Sequence, residues 1–519
     1  MKKRLLLSFI FPLSLHIYAQ APTIEWQKCF GGTKTESFSN IKKTSDGGYI
    51  VAGATSSNDG DLTINKGEYD AWIVKLNSNL VTEWQKTYGG SKQDYADCVQ
   101  QTNDGGYIVT GYSESNDGDA TFNHGTYTSG DYWIVKLNSL GVIEWQKSLG
   151  GSITERSYSI SQTTDGGYIV VGNSISNDGD VSGLHSNGTT NAYDIWVVKL
   201  NIQGNITWQK ALGGTQDEYA YSIKQTTDGG YILCGMSGSN DGDLIVNKGY
   251  SDGWIVKLNS LGNIDWQKTY GGSKTDTFKS ISLTSDGGFI VIGSTVSTDG
   301  DVTSNDTSSN VWVVKINVSG VIEWQKVFGG TANDEGTDIF PTSDGGYVFT
   351  ASSSSLDKDL TGNKGSSDAW IVKINQTGNL QWQKNIGGNS YDRIESIISN
   401  NDGSYIMAGY TFSNNEDVTN LKGSADGWIV KFASDHLSVD DFKNDYFITY
   451  PNPVSSVLNF ESQNGEPIDK VTITDMNGKI ILEQNQKTNQ INTQQLTSGM
   501  YIINAFSSNK KHTQKIIKR

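Results

Sequence analysis

The sequence predicts an all-β protein: a seven-bladed β-propeller closed by an N-terminal strand, followed by a small Ig-like β-sandwich. The motif Trp-Gln-Lys followed by Gly-Gly occurs seven times, at spacings of 58, 61, 63, 58, 58 and 58 residues. A fixed period of this length indicates a repeat architecture. A second tryptophan alternates with the first, and the two series together account for all 14 tryptophans. The sandwich is predicted by a change in composition near residue 446.

Each repeat is predicted to form four short strands, which is the content of a propeller blade. In the second repeat they are the following segments, rich in β-branched and aromatic residues: Tyr95–Thr102, Tyr107–Tyr112, Tyr132–Leu137 and Val142–Lys147. Tight turns are expected at Asn103–Gly106 and Asn138–Gly141, because Asp, Asn and Gly favour turn conformations. The long polar segment Ser113–Gly130 separates the second strand from the third.

The two ends of the repeat region predict how the ring closes. The strand around Trp26 has no three strands before it, and Ile394–Phe432 has three strands with no Trp-Gln-Lys strand after it. The first strand is therefore expected to complete the last blade, which removes the free edges of the ring. Seven sets of three strands plus seven fourth strands give seven blades over residues 24–432.

Residues 1–19 are predicted to be a secretory signal peptide, because a basic start precedes the apolar run Leu5–Leu15. This run is too short to span a membrane, and no other stretch of 18 apolar residues occurs. We therefore expect an exported chain without a transmembrane segment.

The net charge of −16 excludes a nucleic-acid role, because an acidic body repels phosphates. The three cysteines, Cys29, Cys98 and Cys234, have no metal-binding spacing and are expected to be small buried residues.

The repeat unit with its Asp-Gly-Gly-Tyr turn, Ser-Asn-Asp-Gly-Asp loop and Trp-Gln-Lys strand resembles the bacterial SBBP β-propeller repeat. The resemblance covers about 410 residues and recurs seven times. It implies a propeller fold but no single activity.

Residues 433–445 are polar and are interpreted as a linker, and residues 446–519 resemble the type A C-terminal sorting domain of the type IX secretion system of Bacteroidetes. The matching features are Tyr450-Pro451-Asn452-Pro453, the Asn477-Gly478 turn, the strand from Gly499 and a basic tail. The resemblance implies interaction with the secretion machinery, removal of this domain, and a location in the medium or on the outer cell surface.

The longest loop of each blade carries an Asn-Asp-Gly-Asp motif that is a candidate ligand-binding site. Loops on one face of a propeller are where ligands most often bind. The candidate residues are Asp59, Asp61, Asp117, Asp119, Asp178, Asp180, Asp241 and Asp243. Acidic loops rich in Asn, Ser, Gly and Tyr suit neutral sugars or cationic groups. The alternative is that these carboxylates cap turns and fix a long loop.

No cofactor is established by the sequence, and calcium is a candidate, with Asp59, Asp61 and Asp70 as candidate ligands, because calcium prefers oxygen ligands. Lys358, inside the sixth copy of the loop, argues against a metal in that blade.

No catalytic residue is predicted. The five histidines are interpreted as lying at unrelated positions, and no hydrolase, metalloprotease or phosphate-loop motif is present. A carboxylate pair for glycoside hydrolysis stays open, since acidic residues are abundant. The tryptophans are expected to pack between blades rather than to stack on sugars.

The function favoured by the sequence is a secreted or cell-surface binding or adhesion module whose partner is a glycan or a surface protein. The alternatives are an extracellular polysaccharide hydrolase and a structural surface spacer without a specific ligand. A departure from repeat symmetry would favour a unique site, and the sequence shows only mild ones in the loop lengths.

Overall fold

The computed structural model describes residues 21–62, 64–125, 129–185, 192–244, 246–303, 305–306, 308–360, 362–435, 447–462, 468–475, 479–485, 489–507 and 510–519. These residues form two compact units, Met1–Ala433 and Ser434–Arg519. The expected signal peptide and most of the expected linker lie outside the described residues. No helix in the described ranges is long and apolar enough to cross a membrane.

The first unit consists of seven four-stranded antiparallel sheets, as the sequence predicts. Blades 1 to 3 contain β2 (Glu36–Lys43), β3 (Tyr49–Thr55), β4 (Asp70–Leu76), β5 (Thr82–Tyr88); β6 (Asp94–Gln101), β7 (Tyr107–Ser113), β8 (Asp131–Leu137), β9 (Ile143–Leu149); β10 (Glu155–Gln162), β11 (Tyr168–Ser174), β12 (Asp194–Leu200) and β13 (Ile206–Leu212). Blades 4 and 5 contain β14 (Glu218–Gln225), β15 (Tyr231–Ser237), β16 (Asp252–Leu258), β17 (Ile264–Tyr270); β18 (Asp276–Leu283), β19 (Phe289–Thr295), β20 (Asn310–Ile316) and β21 (Ile322–Phe328). Blades 6 and 7 contain β22 (Asp334–Pro341), β23 (Tyr347–Ser353), β24 (Asp368–Ile374), β25 (Leu380–Ile386); β26 (Asp392–Ser399), β27 (Tyr405–Thr411), β28 (Asp426–Phe432) and β1 (Ile24–Phe30).

The ring closes through β1, which pairs antiparallel with β28 and supplies the fourth strand of blade 7. Cys29 lies opposite Trp428, and Trp26 lies opposite Lys431. The first strands of successive blades contact one another in cyclic order, and β26 contacts β2. These first strands therefore form the inner wall of the ring, around a central channel.

The core lies between blades, and it is built from the second tryptophan of each repeat. Trp72 and its counterparts are almost completely buried. The Trp-Gln-Lys tryptophans are mostly half-buried and pack on an aromatic residue of the next blade, as Trp84 does on Tyr107 at 5.7 Å between ring centroids. Both tryptophan series therefore pack against other side chains, and burial of these large aromatic rings stabilises the propeller.

The turn between the first and second strands is fixed by an Asp-Gly-Gly sequence in blades 1 to 6 and by Asp402-Gly403-Ser404 in blade 7. Asp46 accepts hydrogen bonds from the Thr44 hydroxyl at 2.5 Å and from the Gly48 backbone N–H at 2.9 Å. Gly47 adopts a φ of +82°, which favours glycine. The strand bounds predicted for the second repeat differ from the observed ones by one or two residues.

The second unit contains one three-stranded and one four-stranded antiparallel sheet. Its strands are β29 (Phe447–Tyr450), β30 (Val457–Ser462), β31 (Lys470–Thr474), β32 (Ile480–Gln484), β33 (Gln490–Asn492), β34 (Gly499–Ser507) and β35 (Lys510–Lys518). The basic residues expected as a tail form a regular strand, β35, which pairs along the whole length of β34. Successive residues of this strand point to opposite faces, so Ile516 is buried whereas the adjacent Ile517 is exposed.

Candidate ligand site at the mouth of the central channel

The acidic loops predicted as a ligand site form hydrogen bonds with the loop that precedes the first strand of the same blade. Asp59 accepts hydrogen bonds from the backbone N–H and the hydroxyl of Thr33, both at 2.8 Å. Asp61 accepts one from the Gly31 backbone N–H at 3.1 Å. The first aspartate of the later copies repeats this contact: Asp117 with Ser91, Asp178 with Ser152 and Asp241 with Thr215. The second aspartate does so as well: Asp119 with Gly89, Asp180 with Gly150 and Asp243 with Gly213.

The second aspartate of each loop also faces a cation of the preceding blade. Lys66 forms an ion pair with Asp119, and Lys422 forms one with Asp61 across the ring closure. His124 and His185 occupy the place of this lysine in blades 2 and 3, with Nε2 at 3.8 Å from Asp180 and 3.5 Å from Asp243. The interpretation that the histidines lie at unrelated positions is therefore wrong for these two.

Lys358, the exception in the loop motif, forms the same kind of ion pair between blades, but with the positions of cation and carboxylate exchanged. Blade 5 has Asp306 where other blades have Lys or His, and Lys358 of blade 6 forms an ion pair with it. This departure from the loop motif therefore conserves the contact between blades.

The three candidate calcium ligands do not share one set of contacts. Asp70 is buried and accepts a hydrogen bond from the Lys66 backbone N–H at 2.9 Å, whereas Asp59 and Asp61 contact the loop before β2. Over the described ranges, no group of three or more His, Cys, Asp or Glu side chains is arranged to hold a metal ion. Calcium binding stays a prediction.

Buried carboxylates also meet where one blade joins the next, beneath the Gly-Gly pair. A Cβ atom on Gly89 would lie 2.6 Å from Oδ2 of Asp94 and 2.9 Å from Oδ1 of Asp70. The adjacent Gly90 N–H donates a hydrogen bond of 2.7 Å to Asp94. Glycine is required here because the backbone closely approaches two carboxylates. Burial raises the pKa of Asp70 to about 6, and the nearby Asp94 adds to that increase.

One set of residues that differs strongly between blades lies on the first strands, at a β-bulge. In each first strand the pairing with the second strand skips the fourth residue, and bulges of this kind redirect a side chain. All seven skipped residues line the central cavity, whose volume is about 360 Å³. They are Ser39, Asp97, Tyr158, Tyr221, Lys279, Thr337 and Glu395. A repeated backbone feature thus presents six different kinds of side chain from the seven blades.

We define the channel mouth as Tyr95, Tyr112, Arg156, Tyr158, Tyr193, Tyr219, Tyr221, Lys279, Glu335, Arg393 and Glu395. It lies on the loop face, which carries the loops that join second to third strands and fourth to first strands. Tyr193 directly precedes β12 at the end of such a loop. A cavity of about 430 Å³ opens between the tyrosines of blades 2, 3 and 4.

One side of the channel mouth is an aromatic wall. The Tyr158 and Tyr221 rings are 5.3 Å apart, and Tyr219 lies 6.4 Å from Tyr221 with nearly parallel planes. Tyr193 continues the wall at 5.4 Å from Tyr219. These rings are half-buried, so their remaining faces border the cavity. Half-buried tyrosines present both an apolar ring and a hydroxyl to a ligand.

Arg156 holds the centre of this wall. Its guanidinium donates two hydrogen bonds to Asp97, at 3.1 and 3.0 Å. It also lies 5.5 Å from the ring centroids of Tyr95 and Tyr158, within the range of cation–π attraction. This planar, doubly bonded arrangement fixes the tyrosines in place.

The opposite side of the channel mouth is charged. Arg393 donates hydrogen bonds to Glu395 at 2.7 Å and to Glu335 at 3.1 Å. Lys279 lies with Nζ 3.6 Å from the ring centroid of Tyr221. Burial lowers the pKa of Lys279, because the surrounding protein disfavours its charged form.

Sequence analysis missed the channel mouth and placed the candidate site in the acidic loops of the same face. A detectable signal was present: an alignment of the seven repeats shows that the second and fourth first-strand positions vary in charge and size, after a first position that is always Asp or Glu. The β-bulge that aims these residues inward has no sequence signature of its own.

The predicted sorting motif lies at the start of the second unit. Asn452 donates a hydrogen bond from Nδ2 to the Lys515 carbonyl at 3.0 Å and accepts one from the Ile517 N–H at 2.8 Å. Pro451 and Pro453 flank it, and Tyr450 is about half exposed. The motif therefore binds the last strand of the chain.

Residues 449–519 match the family described as the secretion system C-terminal sorting domain. This segment is the export signal of the type IX secretion system, so the chain passes through that machinery to the outer surface or the medium. Fold and signal together define an exported seven-bladed propeller protein.

The regulatory protein FlaEY of Caulobacter vibrioides is 26% identical over 223 residues, which are 40% of this chain and 23% of that protein. Among solved structures, PorZ of Porphyromonas gingivalis, a surface component of the type IX secretion system, is 12% identical, with a TM-score of 0.42. That similarity covers 94% of this chain and 60% of PorZ. The extracellular domain of BT4673 from B. thetaiotaomicron, a putative hybrid two-component system, is 12% identical with a TM-score of 0.42, over 96% of this chain and 60% of its own. The chain thus spans less than two thirds of each of these proteins, and likenesses of this size say nothing about activity.

Proposed function

We propose that this protein is a binding module of the outer cell surface or the medium, and that its ligand binds at the channel mouth. The observation that carries the proposal is the distribution of variation among the repeats. The two tryptophans and the Asp-Gly turn of each blade are invariant, whereas the seven bulge residues on the channel are of six different types. Repetition serves the scaffold, and a single ligand site needs different groups on its different sides.

The composition of the mouth favours recognition of a saccharide. Tyrosines at 5.3 to 6.4 Å from one another form a broad surface on which a sugar ring can stack. Arg156 adds donors close to the Tyr158 ring, and Arg393 lines the same cavity as Tyr158 and Tyr221. An aromatic wall with a few fixed polar groups is the usual composition of small-ligand sites. Adhesion through a surface glycan follows from such a site on an exported protein.

The carboxylates on the channel wall are used in ion pairs. Asp97 is bound by Arg156, and both Glu335 and Glu395 are bound by Arg393. This use favours the binding module over the hydrolase that the sequence left open. The same contacts also orient both arginines toward the mouth.

The proposal is tested by applying the purified full chain to a broad glycan array, with calcium and then with a chelator. We expect specific glycans to be retained, and binding to be lost in Tyr158→Ser and Tyr221→Ser. Serine is compatible with the fold at this position, because Ser39 occupies it in blade 1. Tyr250→Ala is the matched control, since Tyr250 lies on the same face but is 82% exposed.

Two results would contradict the proposal. The first is glycan binding that survives both serine variants. The second is a chain that binds no glycan and no surface protein, which would favour a spacer. The acidic-loop prediction is tested in the same assay with Asp59→Ala, Asp117→Ala and Asp178→Ala, and the chelator tests calcium.

A further inference from the structure

The charges inside the channel are not balanced locally. Asp97, Glu335 and Glu395 are each bound by an arginine. Asp338, deeper in the channel, accepts hydrogen bonds from Ser280 at 2.7 Å and Ser396 at 3.2 Å. The acidic groups that line the cavity therefore all have partners within the protein.

Three lysines on the same cavity have no such partner. Lys42, Lys224 and Lys279 line the cavity, and within the described residues none of them has a carboxylate oxygen within ion-pair distance. Glu335 and Glu395 are the carboxylates nearest to Lys279, but both are bound by Arg393. The channel thus carries five cationic side chains and four carboxylates. By contrast, the buried lysines at the end of the third strands are each paired with a turn aspartate, as Lys75 is with Asp46 at 2.8 Å. A half-buried ammonium group without a counter-ion is costly unless an anion from outside the protein completes it.

Lys279 lies beside the aromatic wall as well as in the deep part of the channel. It lines both the deep cavity and the upper cavity of about 330 Å³ that also includes Arg156, Tyr158 and Arg393. Its ammonium lies over Tyr221, so one molecule can contact the ring wall and the cation together. The volume suits one or two sugar units.

We propose that the ligand is an acidic saccharide, whose ring stacks on the Tyr158–Tyr221 wall and whose carboxylate or sulfate group binds Lys279. This inference rests on the proposed function and adds the ligand class to it. The acidic surface of the protein, with a net charge of −16, repels such a ligand elsewhere. The lysines of the channel, which have no carboxylate within ion-pair distance, are then the place where an anionic sugar binds.

The test measures dissociation constants of the full chain by calorimetry with four probes. They are trigalacturonate, its neutral methyl ester, a sulfated galactan oligosaccharide and tetraglutamate. We expect trigalacturonate or the sulfated galactan to bind at least about tenfold more tightly than the methyl ester, because a charge-assisted hydrogen bond contributes that much. The two acidic probes separate a carboxylate from a sulfate ligand.

Lys279→Met should remove the preference for the acidic probe, and Lys279→Arg should retain most of it. Lys43→Met is the matched control, because Lys43 lies on a first strand but is exposed. Lys279→Met should also melt at the same or a higher temperature than the wild type, because the ammonium it removes has no ion-pair partner. A lysine with a purely structural role would instead lower the melting temperature.

The inference is overturned if neither trigalacturonate nor the sulfated galactan binds more tightly than the methyl ester, or if acidic-sugar binding survives Lys279→Met. Tighter binding of tetraglutamate also overturns it and would indicate an acidic peptide. If neutral glycans bind and Tyr158→Ser abolishes that binding, the proposed function stands while the ligand class is wrong. If no saccharide binds, the ligand class fails, and the surface-protein assay decides the proposed function.

Discussion

The indole Nε1 of Trp428 donates a hydrogen bond of 2.9 Å to Oε1 of Gln27, a residue 401 positions earlier in the chain. The same bond joins tryptophan and glutamine 13 residues apart within other blades. Those pairs are Trp133–Gln146, Trp196–Gln209, Trp254–Gln267, Trp312–Gln325 and Trp370–Gln383. The ring is therefore closed by the contact that holds an ordinary blade together.

The two tryptophan series should differ in their contribution to stability. Trp428 is fully buried, and Trp428→Ala should lower the free energy of unfolding by about 3–5 kcal/mol. Trp26 is only half-buried, so Trp26→Ala should cost clearly less. Chemical denaturation of the two variants measures the difference.

Trp254→Ala serves as the control for ring closure, because Trp254 makes the same contact inside blade 4. We expect it to cost as much as Trp428→Ala. Equal losses for Trp26→Ala and Trp428→Ala would show that burial does not determine these contributions.

The carboxylate pairs between blades should make the propeller more stable in mild acid. Burial raises the pKa of Asp252 to about 6, and the neighbouring Asp276 adds to this. A carboxyl group whose folded pKa is raised stabilises the fold at low pH, and this stabilisation is lost as the pH rises through about 6. The melting temperature should therefore rise when the pH is lowered from 8 to 5.

Asp252→Asn isolates this effect, because blade 5 carries Asn310 at the equivalent position. At pH 8 the variant should be more stable than the wild type by about 1–3 kcal/mol, and the difference should shrink toward pH 5. A constant difference between pH 5 and pH 8 would show that Asp252 does not titrate in this range.

On the face opposite the loop face, ion pairs between buried lysines and the turn aspartates should contribute to the stability of the fold. Lys75 is paired with both Asp46 and Glu83, whereas Lys199 is paired with Asp165 alone because Thr207 replaces the glutamate. Asp165→Asn should therefore lower the free energy of unfolding by about 1–2 kcal/mol, and Asp46→Asn should lower it less. These values are small because both aspartates are more than half exposed, so that water screens the ion pairs.

The pH dependence of these pairs runs opposite to that of Asp252. Burial acts to raise the pKa of Asp165, but hydrogen bonds from Thr163 and Lys199 outweigh it and lower the pKa to about 2. The stabilisation is present above pH 4 and is lost as the pH falls toward 2. Asp165→Asn should thus be indistinguishable from the wild type at pH 2 and less stable at pH 6, as measured by thermal melting.

Asn452 should be essential for docking the last strand of the sorting domain. Asn452→Ala removes hydrogen bonds to the backbone of both Lys515 and Ile517. We expect faster amide hydrogen exchange in 510–519 and less secreted protein. Asn459→Ala is the control, since Asn459 makes one exposed bond, to the Tyr450 carbonyl. Normal secretion of Asn452→Ala would show that the motif acts independently of this contact.

Repeat spacing was sufficient to predict the blade number, the ring closure and the strand bounds. These depend on local patterns such as Asp46-Gly47-Gly48 and on the position of Trp26 before the first complete set of strands. Tertiary contacts were harder to predict. The pairing of Asp306 with Lys358 joins residues from neighbouring blades, and each looks like an isolated exception in the sequence.

The candidate site was the least predictable feature. Loop length and acidity pointed to Asp59 and its counterparts, whose contacts lie within the loops. Tyr158 and Lys279 occupy equivalent places in the repeat, and a bulge turns both toward the channel. Without that backbone feature, a tyrosine and a lysine 121 residues apart give no sign of facing one cavity.

The order of segments along the chain couples assembly to export. The strand that receives β1 ends at Phe432, and the matched sorting segment begins at residue 449. A polypeptide that terminates before residue 426 lacks both the partner of its first strand and the address that the secretion machinery reads. We therefore expect products truncated before residue 426 to be left unexported, so that the chains that reach the surface are long enough to complete the ring.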